Sequence, residues 1–440
     1  MTKYLRYVWM AAIVAAMAII AGRHFPNYAL RISFFSAFLF IDALYWPAFR
    51  KTLSPGKALA ARCLLIYYWL PFVLLVATAL AAVFIPVQKW FPFFRIYIPG
   101  FIVVLYIGKI LLLIILMLSD LLTAPYNLIV WFRSSGNKAG YEWKRFKAVA
   151  YTGLAVSFTV ILIFMAGMVH WVYDFKVQNV MVEMDELPAS FNGFKIIQIS
   201  DVHLGGWRTK ERLREAVSII RQLKPDMVVF TGDMVNFSSE EALPFTKELR
   251  RLKAPSGVYA IKGNHDYGDY LSWDTPSGKD KNVRDLDAFY KNIGWQLLNN
   301  AHRLLIRGND TIVLVGVENW SASRLWGKRG NLKKALLGAE HPGFKILLSH
   351  DPTHWDNEVS GLYPDIDLTL SGHTHAMQMG WEGRNSQWSP AQWKYNEWAG
   401  LYEHDFPVKQ FLYVNPGLGH ILYPGRIGIR PEITVIELRH

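Results

Sequence analysis

The chain has 440 residues, which is more than one ordinary domain holds, so the sequence predicts two units. Its formal net charge of +12 is unevenly distributed, because residues 1–172 contain 16 of the 47 Lys and Arg residues but only three of the 35 Asp and Glu residues. The remaining residues are close to neutral, with 31 basic and 32 acidic side chains. This balance argues against the basic folded domain of nucleic-acid-binding proteins, and we expect no nucleic-acid partner.

Five long apolar segments in the N-terminal part indicate membrane helices. Most of them approach or exceed the roughly 20 residues that cross a bilayer as a helix. Soluble cores rarely contain several such segments in series, so we interpret residues 1–172 as a transmembrane domain of about five helices. The segments span residues 8–21, 32–49, 64–85, 96–118 and 149–172.

Loop charges predict the sidedness of these helices. With five spans and a cytoplasmic N-terminus, the inside segments contain eleven Lys and Arg residues and the outside segments contain four. Cytoplasmic loops are enriched in these residues, so we expect a multi-pass cell-membrane protein whose C-terminal domain is extracytoplasmic. Residues 121–132 are also apolar, although they contain Pro125, and a sixth span there would move the domain to the cytoplasmic side. The single cysteine, Cys63, permits no internal disulfide and does not indicate a compartment.

Two charged residues, Asp42 and Lys109, lie inside the second and fourth apolar segments. A charge within the bilayer is costly and is usually paired. We therefore expect that these two side chains can form an ion pair, and we favour a structural role over a transport path.

After residue 175 the pattern changes to alternating strands and helices. Short apolar runs rich in β-branched residues predict buried strands, and helices are expected at residues 210–223 and 240–252. We predict a layered α/β domain over residues 175–440, with central β-sheets flanked by helices, joined to the membrane part by a short linker near residues 173–180. The predicted strands cover residues 194–200, 226–231, 257–262, 311–317, 344–349, 367–371, 410–414 and 432–438.

Polar motifs follow five of the predicted strands, at the edge where α/β sheets place their sites. Clustered carboxylates and imidazoles suit divalent ions such as Mn, Fe or Zn, and no second thiol is present for a sulfur-rich structural zinc site. We therefore predict two divalent metal ions bridged by one carboxylate, a centre that promotes displacement at phosphorus. The motifs are Ser200-Asp201-Val202-His203, Gly232-Asp233, Gly263-Asn264-His265-Asp266, Ser349-His350-Asp351 and Gly372-His373-Thr374-His375.

The order of these motifs resembles that of the calcineurin-like metallophosphoesterases over residues 182–438. The opening LPASFNGFKIIQISDVHLGG and the closing LYVNPGLGHILYPGRIGIRPEITVIEL resemble the membrane-associated, YkuE-type subgroup. The chain departs from that subgroup after His375, where Ala376-Met377-Gln378 and a Trp-rich stretch follow.

The resemblance implies a role for each motif residue. Asp201, His203 and His375 would bind one metal ion, and Asn264, His350 and His373 would bind the other. Asp233 would bridge the two ions. His265 would act as general acid or stabilise charge on the phosphoryl oxygens, and Asp266 would orient His265. Asp351 and His354 are more simply interpreted as ordinary loop residues.

The Trp-rich insert spans residues 380–411 and begins close to His375. Trp and Tyr favour the interface between water and lipid, so the insert could form a lid or platform that admits a lipid substrate. The alternative is a self-packed loop with a small aromatic core. Its aromatic residues are Trp381, Trp388, Trp393, Tyr395, Trp398, Tyr402 and Phe406.

Three functions are consistent with the sequence. The first is an integral-membrane phosphoesterase that hydrolyses a lipid or lipid-linked substrate, and the sequence leaves open whether it is a phosphodiesterase or acts on monoesters. The second is the same chemistry on a soluble nucleotide or sugar phosphoester, and the third is a non-catalytic membrane receptor or scaffold. The complete set of expected ligands argues against the third. Hydrolases of UDP-2,3-diacylglucosamine look similar, but that substrate is cytosolic, and an extracytoplasmic domain would exclude it.

Overall fold

The computed structural model describes residues 58–85, 89–133, 146–339, 343–383, 386–405 and 408–440, with a few residues between 12 and 50. The chain divides into two compact units. The first comprises Met1–Ile85 and Phe101–Ile163, and the second comprises Pro86–Gly100 and Phe164–His440. The second unit therefore includes residues 86–100, which lie inside the segment that the sequence assigns to the membrane domain.

Three helices in the described part of the chain are long and apolar enough to cross a membrane. They are α1 (Ala58–Phe84), α2 (Pro92–Arg133) and α3 (Lys147–Val169), and they correspond to the last three expected spans. The first two expected spans lie largely outside the described residues. Helix α2 has 42 residues and continues through Pro125 without interruption, so residues 121–132 belong to the same helix as the fourth expected span.

The expected ion pair inside the first unit is confirmed. Lys109 Nζ lies 2.6 Å from Asp42 Oδ1, and both side chains are buried. Tyr68 supports the pair, because its hydroxyl donates to the Asp42 carbonyl oxygen at 2.7 Å and its ring lies 4.2 Å from Lys109 Nζ. These contacts neutralise a charge that would otherwise be costly in an apolar helix bundle.

The second unit contains two six-stranded sheets. The first has the order β1-β14-β2-β3-β4-β5, in which β2 to β5 are parallel and β14 is antiparallel to β2. The second has the order β12-β13-β9-β8-β7-β6, with parallel central strands and antiparallel edge strands. The strands are β1 Lys176–Glu183, β2 Lys195–Ile199, β3 Met227–Phe230, β4 Val258–Ala260, β5 Gln296–Leu297, β6 Ala301–Arg307, β7 Asp310–Gly316, β8 Lys345–Leu348, β9 Leu368–Ser371, β10 Trp381–Glu382, β11 Gln387–Trp388, β12 Gly400–His404, β13 Gln410–Val414 and β14 Glu432–Arg439; β10 and β11 form a separate hairpin.

The two large sheets pack face to face around an apolar core. Ile196 and Val229 of the first sheet and Leu314 and Ile346 of the second belong to one buried cluster. Helices α4 (Lys210–Gln222) and α6 (Pro276–Ile293) cover the outer face of the first sheet, and α7 (Leu332–Ala335) with residues 355–362 covers the outer face of the second. This layered α/β architecture confirms the predicted fold class. The helices are α4 Lys210–Gln222, α5 Thr246–Leu249, α6 Pro276–Ile293, α7 Leu332–Ala335 and α8 Ser360–Leu362.

Two local predictions were wrong. The expected linker near residues 173–180 is instead the start of strand β1, which pairs in parallel with β14 from Lys176 to Glu183. Most residues of β1 are exposed or half-buried, so its sequence lacks the continuous apolar run of a buried strand and resembles a linker. The expected helix over residues 240–252 is broken into two 3-10 turns and the short helix α5, and Pro244 lies at the start of the second turn.

Candidate metal centre

The motif loops meet because their strands are neighbours. Strands β2, β3 and β4 lie side by side in the first sheet, and β8 and β9 lie side by side in the second. Each motif begins where its strand ends, so the loops converge at one end of the two packed sheets. Two groups of ligand-type side chains form there, and each could hold a metal ion.

The first group consists of Asp201, His203 and His375, all buried. Nε2 of His375 lies 3.2 Å from Asp201 Oδ1 and 3.1 Å from Nε2 of His203. Asp201 Oδ1 is buried and accepts no hydrogen bond. A buried carboxylate oxygen facing two imidazole nitrogens is a donor set that suits a divalent cation, so these residues fit the expected first metal ion.

The second group consists of Asp233, His350 and His373. Nε2 of His350 lies 3.2 Å from Nδ1 of His373 and 3.2 Å from Oδ1 of Asn264. Asn264 thus brings a carbonyl-type oxygen to the same place. His350 is held from behind, because its Nδ1 donates to the carbonyl oxygen of Thr231 at 2.7 Å. Such a hydrogen bond selects the tautomer that leaves Nε2 free to bind a metal.

Asp233 links the two groups. Its Oδ2 lies 3.5 Å from Nε2 of His203 in the first group and 3.3 Å from Nε2 of His350 in the second. Burial opposes protonation of His350, but the Asp233 carboxylate prevails and raises the pKa of His350 to about 10. The position of Asp233 is the one that a bridging carboxylate requires.

The backbone at these ligands is unusual. Five of the residues expected to bind metal have φ between +48° and +71° and thus lie in the left-handed region. Residues without a glycine's freedom rarely adopt this conformation, and they concentrate at functional sites. The glycines before them serve the same tight turns: a Cβ on Gly372 would lie 2.0 Å from Ser200 Oγ. The five residues are Asp201, His203, Asp233, His373 and His375.

His265 lies beside the first group, with its ring centroid 4.9 Å from that of His203. Its Nδ1 donates to the carbonyl oxygen of Asn236 at 2.7 Å, and its ring stacks on Tyr270 at 4.2 Å. The side chain is only partly buried. The ring is therefore fixed by Asn236 and Tyr270, and Nε2 remains available to a substrate.

The expected contact between Asp266 and the His265 side chain does not occur. The buried Asp266 carboxylate instead accepts hydrogen bonds from the backbone N–H groups of residues 233, 234, 235 and 263 at 2.9–3.3 Å. Because these amides belong to the loops that carry Asp233 and Asn264, Asp266 fixes the loops rather than the imidazole. The carbonyl oxygen of Asn236, rather than Asp266, is the hydrogen-bond partner of the His265 ring.

Sequence reasoning also missed several neighbours of the site. Asp351, interpreted as an ordinary loop residue, is buried, and its Oδ2 lies 3.4 Å from Nε2 of His373. The ring of His373 also lies 4.6 Å from that of Trp326 and 5.9 Å from that of Tyr395. The adjacency of Asp351 to His350 was a usable signal, whereas nothing in the sequence around Trp326 indicated its place.

The Trp-rich insert contains both buried and exposed aromatic side chains. Tyr395 and Trp398 are buried in a small cluster with Ala376 and Ile429. Three other tryptophans are exposed by 41–77%. Part of the insert therefore packs against residues outside it and part presents an exposed aromatic surface, while Phe406 lies outside the described residues. The exposed side chains are Trp381, Trp388 and Trp393.

Comparison with known proteins finds relatives of this chain among the metallophosphoesterases. The family model of the calcineurin-like phosphoesterases matches residues 194–377. A transmembrane protein with a metallophosphoesterase domain from Danio rerio is 32% identical over 300 residues, which cover 66% of this chain and 62% of that protein. The metallophosphoesterase YkuE of Bacillus subtilis is 34% identical over 58% of this chain and 82% of its own length.

A third relative is the UDP-2,3-diacylglucosamine pyrophosphatase LpxG of Chlamydia muridarum, 28% identical over 61% of this chain and 92% of its own length. The Danio rerio relative is named as a transmembrane protein, in agreement with the apolar helices of this chain. The match to the family model and the extent of the YkuE alignment confirm the predicted class, that of hydrolases acting on phosphoester bonds. The chain belongs to the calcineurin-like phosphoesterase family.

Proposed function

We propose that this protein is an integral-membrane phosphoesterase that uses two divalent metal ions to hydrolyse a lipid or lipid-linked phosphoester. One observation carries the dinuclear part of the proposal. Asp233 Oδ2 lies within 3.5 Å of an imidazole nitrogen in each of the two ligand groups. A single carboxylate in that position is what two metal ions about 3.5–4 Å apart require.

In this proposal Asp201, His203 and His375 hold one ion, Asn264, His350 and His373 hold the other, and Asp233 contributes to both. Mixed imidazole and oxygen donors suit Mn, Fe or Zn. When bound, two such ions lower the pKa of water and neutralise charge that develops on phosphoryl oxygens.

His265 is the proposed proton donor. Its Nδ1 is engaged by the carbonyl oxygen of Asn236, so Nε2 is the nitrogen that can approach a leaving-group oxygen. Donation of a proton there would neutralise the departing alkoxide or phenoxide, and a hydrogen bond to a phosphoryl oxygen would stabilise charge. Asp266 assists indirectly, because it holds the backbone on both sides of the site.

Three features support a lipid substrate. The helices α1 to α3 are long and apolar enough to cross a membrane, which would bring the catalytic unit close to lipid. The exposed tryptophans of the insert are typical of surfaces that enter the headgroup region. A cavity of about 1380 Å³ beside the loop that follows His203 is lined by aromatic and basic side chains and also by the acidic Glu240, Asp274 and Asp285, so it suits an amphiphile with a charged headgroup. These side chains include Trp90, Phe91, Trp207, Lys89 and Arg208.

The name of the Chlamydia relative gives UDP-2,3-diacylglucosamine as its substrate. A nucleotide-linked lipid of that kind is cytosolic, whereas the loop charges favour an extracytoplasmic catalytic domain in this chain. We therefore propose a lipid phosphoester accessible from the extracytoplasmic side.

The reaction is tested with the full chain, purified in detergent and loaded with Mn²⁺. We expect hydrolysis of bis-p-nitrophenyl phosphate, p-nitrophenyl phosphate or a member of a phospholipid panel, and its loss in Asp233→Ala. Asp226→Ala is the matched control, because Asp226 precedes the other end of strand β3 and accepts a hydrogen bond from the Lys195 amide. Full activity in Asp233→Ala would refute the metal assignment.

The lipid part is tested separately with Trp388→Ala and Trp393→Ala, whose rings contact each other at 5.9 Å. We expect slower hydrolysis of the lipid substrate in vesicles and unchanged hydrolysis of a small soluble ester. An equal loss on both substrates would contradict a role of these tryptophans in lipid recognition.

A further inference from the structure

The second unit contains a buried ion pair between the start of helix α2 and the catalytic loops. Arg95 Nη2 donates to Glu241 Oε1, and the two side chains are only 5% and 2% exposed. The guanidinium also lies 4.7 Å from the ring centre of Phe237. A buried charge is costly unless it is paired, so this contact constrains both partners.

The second oxygen of the same carboxylate leads toward the active site. Glu241 Oε2 accepts hydrogen bonds from the backbone N–H groups of Asn236 at 2.7 Å and Phe237 at 3.2 Å. The carbonyl oxygen of Asn236 in turn accepts the hydrogen bond from His265 Nδ1 at 2.7 Å. Only Glu241 and one turn of backbone therefore separate the Arg95 guanidinium from the His265 ring.

The same helix start also contacts the loop that follows His203. The hydroxyl of Tyr97 donates to the carbonyl oxygen of Gly206 at 3.2 Å. The two loops are in tight contact, since a Cβ on Gly205 would lie 2.5 Å from Glu241 Oε2 and 2.8 Å from Asn236 Oδ1. A displacement of Glu241 would thus move Gly205, in the loop that follows His203, and Asn236, which contacts His265.

We propose that Arg95 and Glu241 are positioning residues for His265. This inference rests on the proposed role of His265 as proton donor. The carboxylate holds the amides of residues 236 and 237, those amides fix the Asn236 carbonyl, and the carbonyl fixes the imidazole. Arg95 keeps the carboxylate in place. The beginning of a membrane helix therefore sets the geometry of proton transfer in the catalytic unit.

The test uses the full chain and diaryl phosphodiesters whose phenol leaving groups differ in pKa. A weakened proton donor matters most when the leaving group is poor. Arg95→Gln should lower kcat for diphenyl phosphate by roughly 10–100-fold with little change in KM, because small misplacements of a catalytic group have effects of this size. The loss with bis-p-nitrophenyl phosphate should be much smaller, and Arg95→Lys should recover part of the activity.

Two further variants distinguish positioning from simple charge attraction or fold stability. The exchange Arg95→Glu with Glu241→Arg restores an ion pair, but an arginine at 241 cannot accept from the two amides, so we expect no rescue. Arg214→Gln is the matched control, because Arg214 pairs at 3.0 Å with Glu248, a carboxylate that is likewise only 3% exposed. It should leave the dependence of kcat on the leaving group unchanged.

Four results would overturn the inference. They are rescue by the exchanged pair, an equal loss with every leaving group in Arg95→Gln, the same altered dependence in Arg214→Gln, and wild-type kinetics in Arg95→Gln. If Arg95→Gln does not fold, as judged by its melting temperature and metal content, Arg95→Lys and Glu241→Gln carry the same test. His265→Ala distinguishes failure of this inference from failure of the proposed proton donor. If kcat in His265→Ala depends on the leaving group as in wild type, the proposed role of His265 itself is wrong.

Discussion

The left-handed backbone at the ligands can be tested by exchanging each side chain for alanine and for glycine. His375 has φ of +51° and begins a run of left-handed residues that continues to Gln378. His350, an expected ligand in the other group, is outside that region. At each position the alanine and glycine variants lose the same imidazole, so their difference in stability reports mainly on the backbone.

The size of the effect follows from two opposing terms. A non-glycine residue in the left-handed region costs roughly 1–2 kcal/mol, and glycine costs roughly 0.5–1 kcal/mol through the entropy of the unfolded chain. At His375 we expect the glycine variant to be more stable than the alanine variant by about 0.5–1 kcal/mol, the difference between these terms. At His350 only the entropy term acts, so alanine should be the more stable by about 0.5–1 kcal/mol.

The assay is thermal unfolding of the full chain in detergent with EDTA, so that metal binding does not contribute. A difference of 1 kcal/mol shifts the melting temperature of a large domain by about 2–4 °C. We expect His375→Gly to melt about 2 °C above His375→Ala, and the order to be reversed at His350. If alanine is the more stable at both positions, the strain at His375 is absent and the reasoning fails.

Three other properties can be measured on the same protein. Asp351→Asn weakens the partner of His373, a proposed metal ligand, so the Mn²⁺ concentration for half-maximal activity should rise about 10–100-fold; an unchanged value would leave Asp351 without a role. Burial raises the pKa of Asp367 to about 6, above the ordinary value of about 3.9. The protonated form thus favours the fold, and the melting temperature should fall as the pH rises from about 4 to about 6 in wild type but not in Asp367→Asn. Lys291 is exposed, so in a Cys63→Ser background the cysteine of Lys291→Cys should react with an impermeant maleimide on intact cells if the catalytic domain is extracytoplasmic. Labelling only after lysis would place the catalytic domain inside.

The sequence predicted most of the candidate site because its signals are local. Each expected ligand lies within a few residues of the end of an apolar strand, and parallel neighbours bring such ends together. Strand β1 has no such local signal, because it pairs with β14 at the other end of the domain sequence. Lys176, for example, lies opposite Glu432. The strand's alternation of exposed and half-buried residues is that of an edge strand and resembles a polar connection.

Contacts between distant residues explain the errors inside the site. The sequence places Asp266 beside His265, but neighbours in a tight turn need not have side chains that meet. The imidazole contacts the backbone of Asn236, and a backbone carbonyl has no signature in the sequence. The role of Arg95 is hidden for the same reason. In the sequence it is one of several basic residues that flank the apolar segments, and its partner Glu241 lies in a distant loop.

The short connection between helix α3 and strand β1 belongs to the catalytic unit. This unit therefore begins before residue 175, where the sequence pattern changes. Val172 and Tyr173 are buried in the core cluster beneath the first sheet, and the Tyr173 hydroxyl accepts a hydrogen bond from the Arg208 amide at 3.0 Å. A fragment beginning at residue 175 would remove both side chains from that core, together with the Arg95 contact to Glu241. The residues after the last membrane helix are thus part of the catalytic fold rather than a tether. The natural unit for enzymology is therefore the full chain.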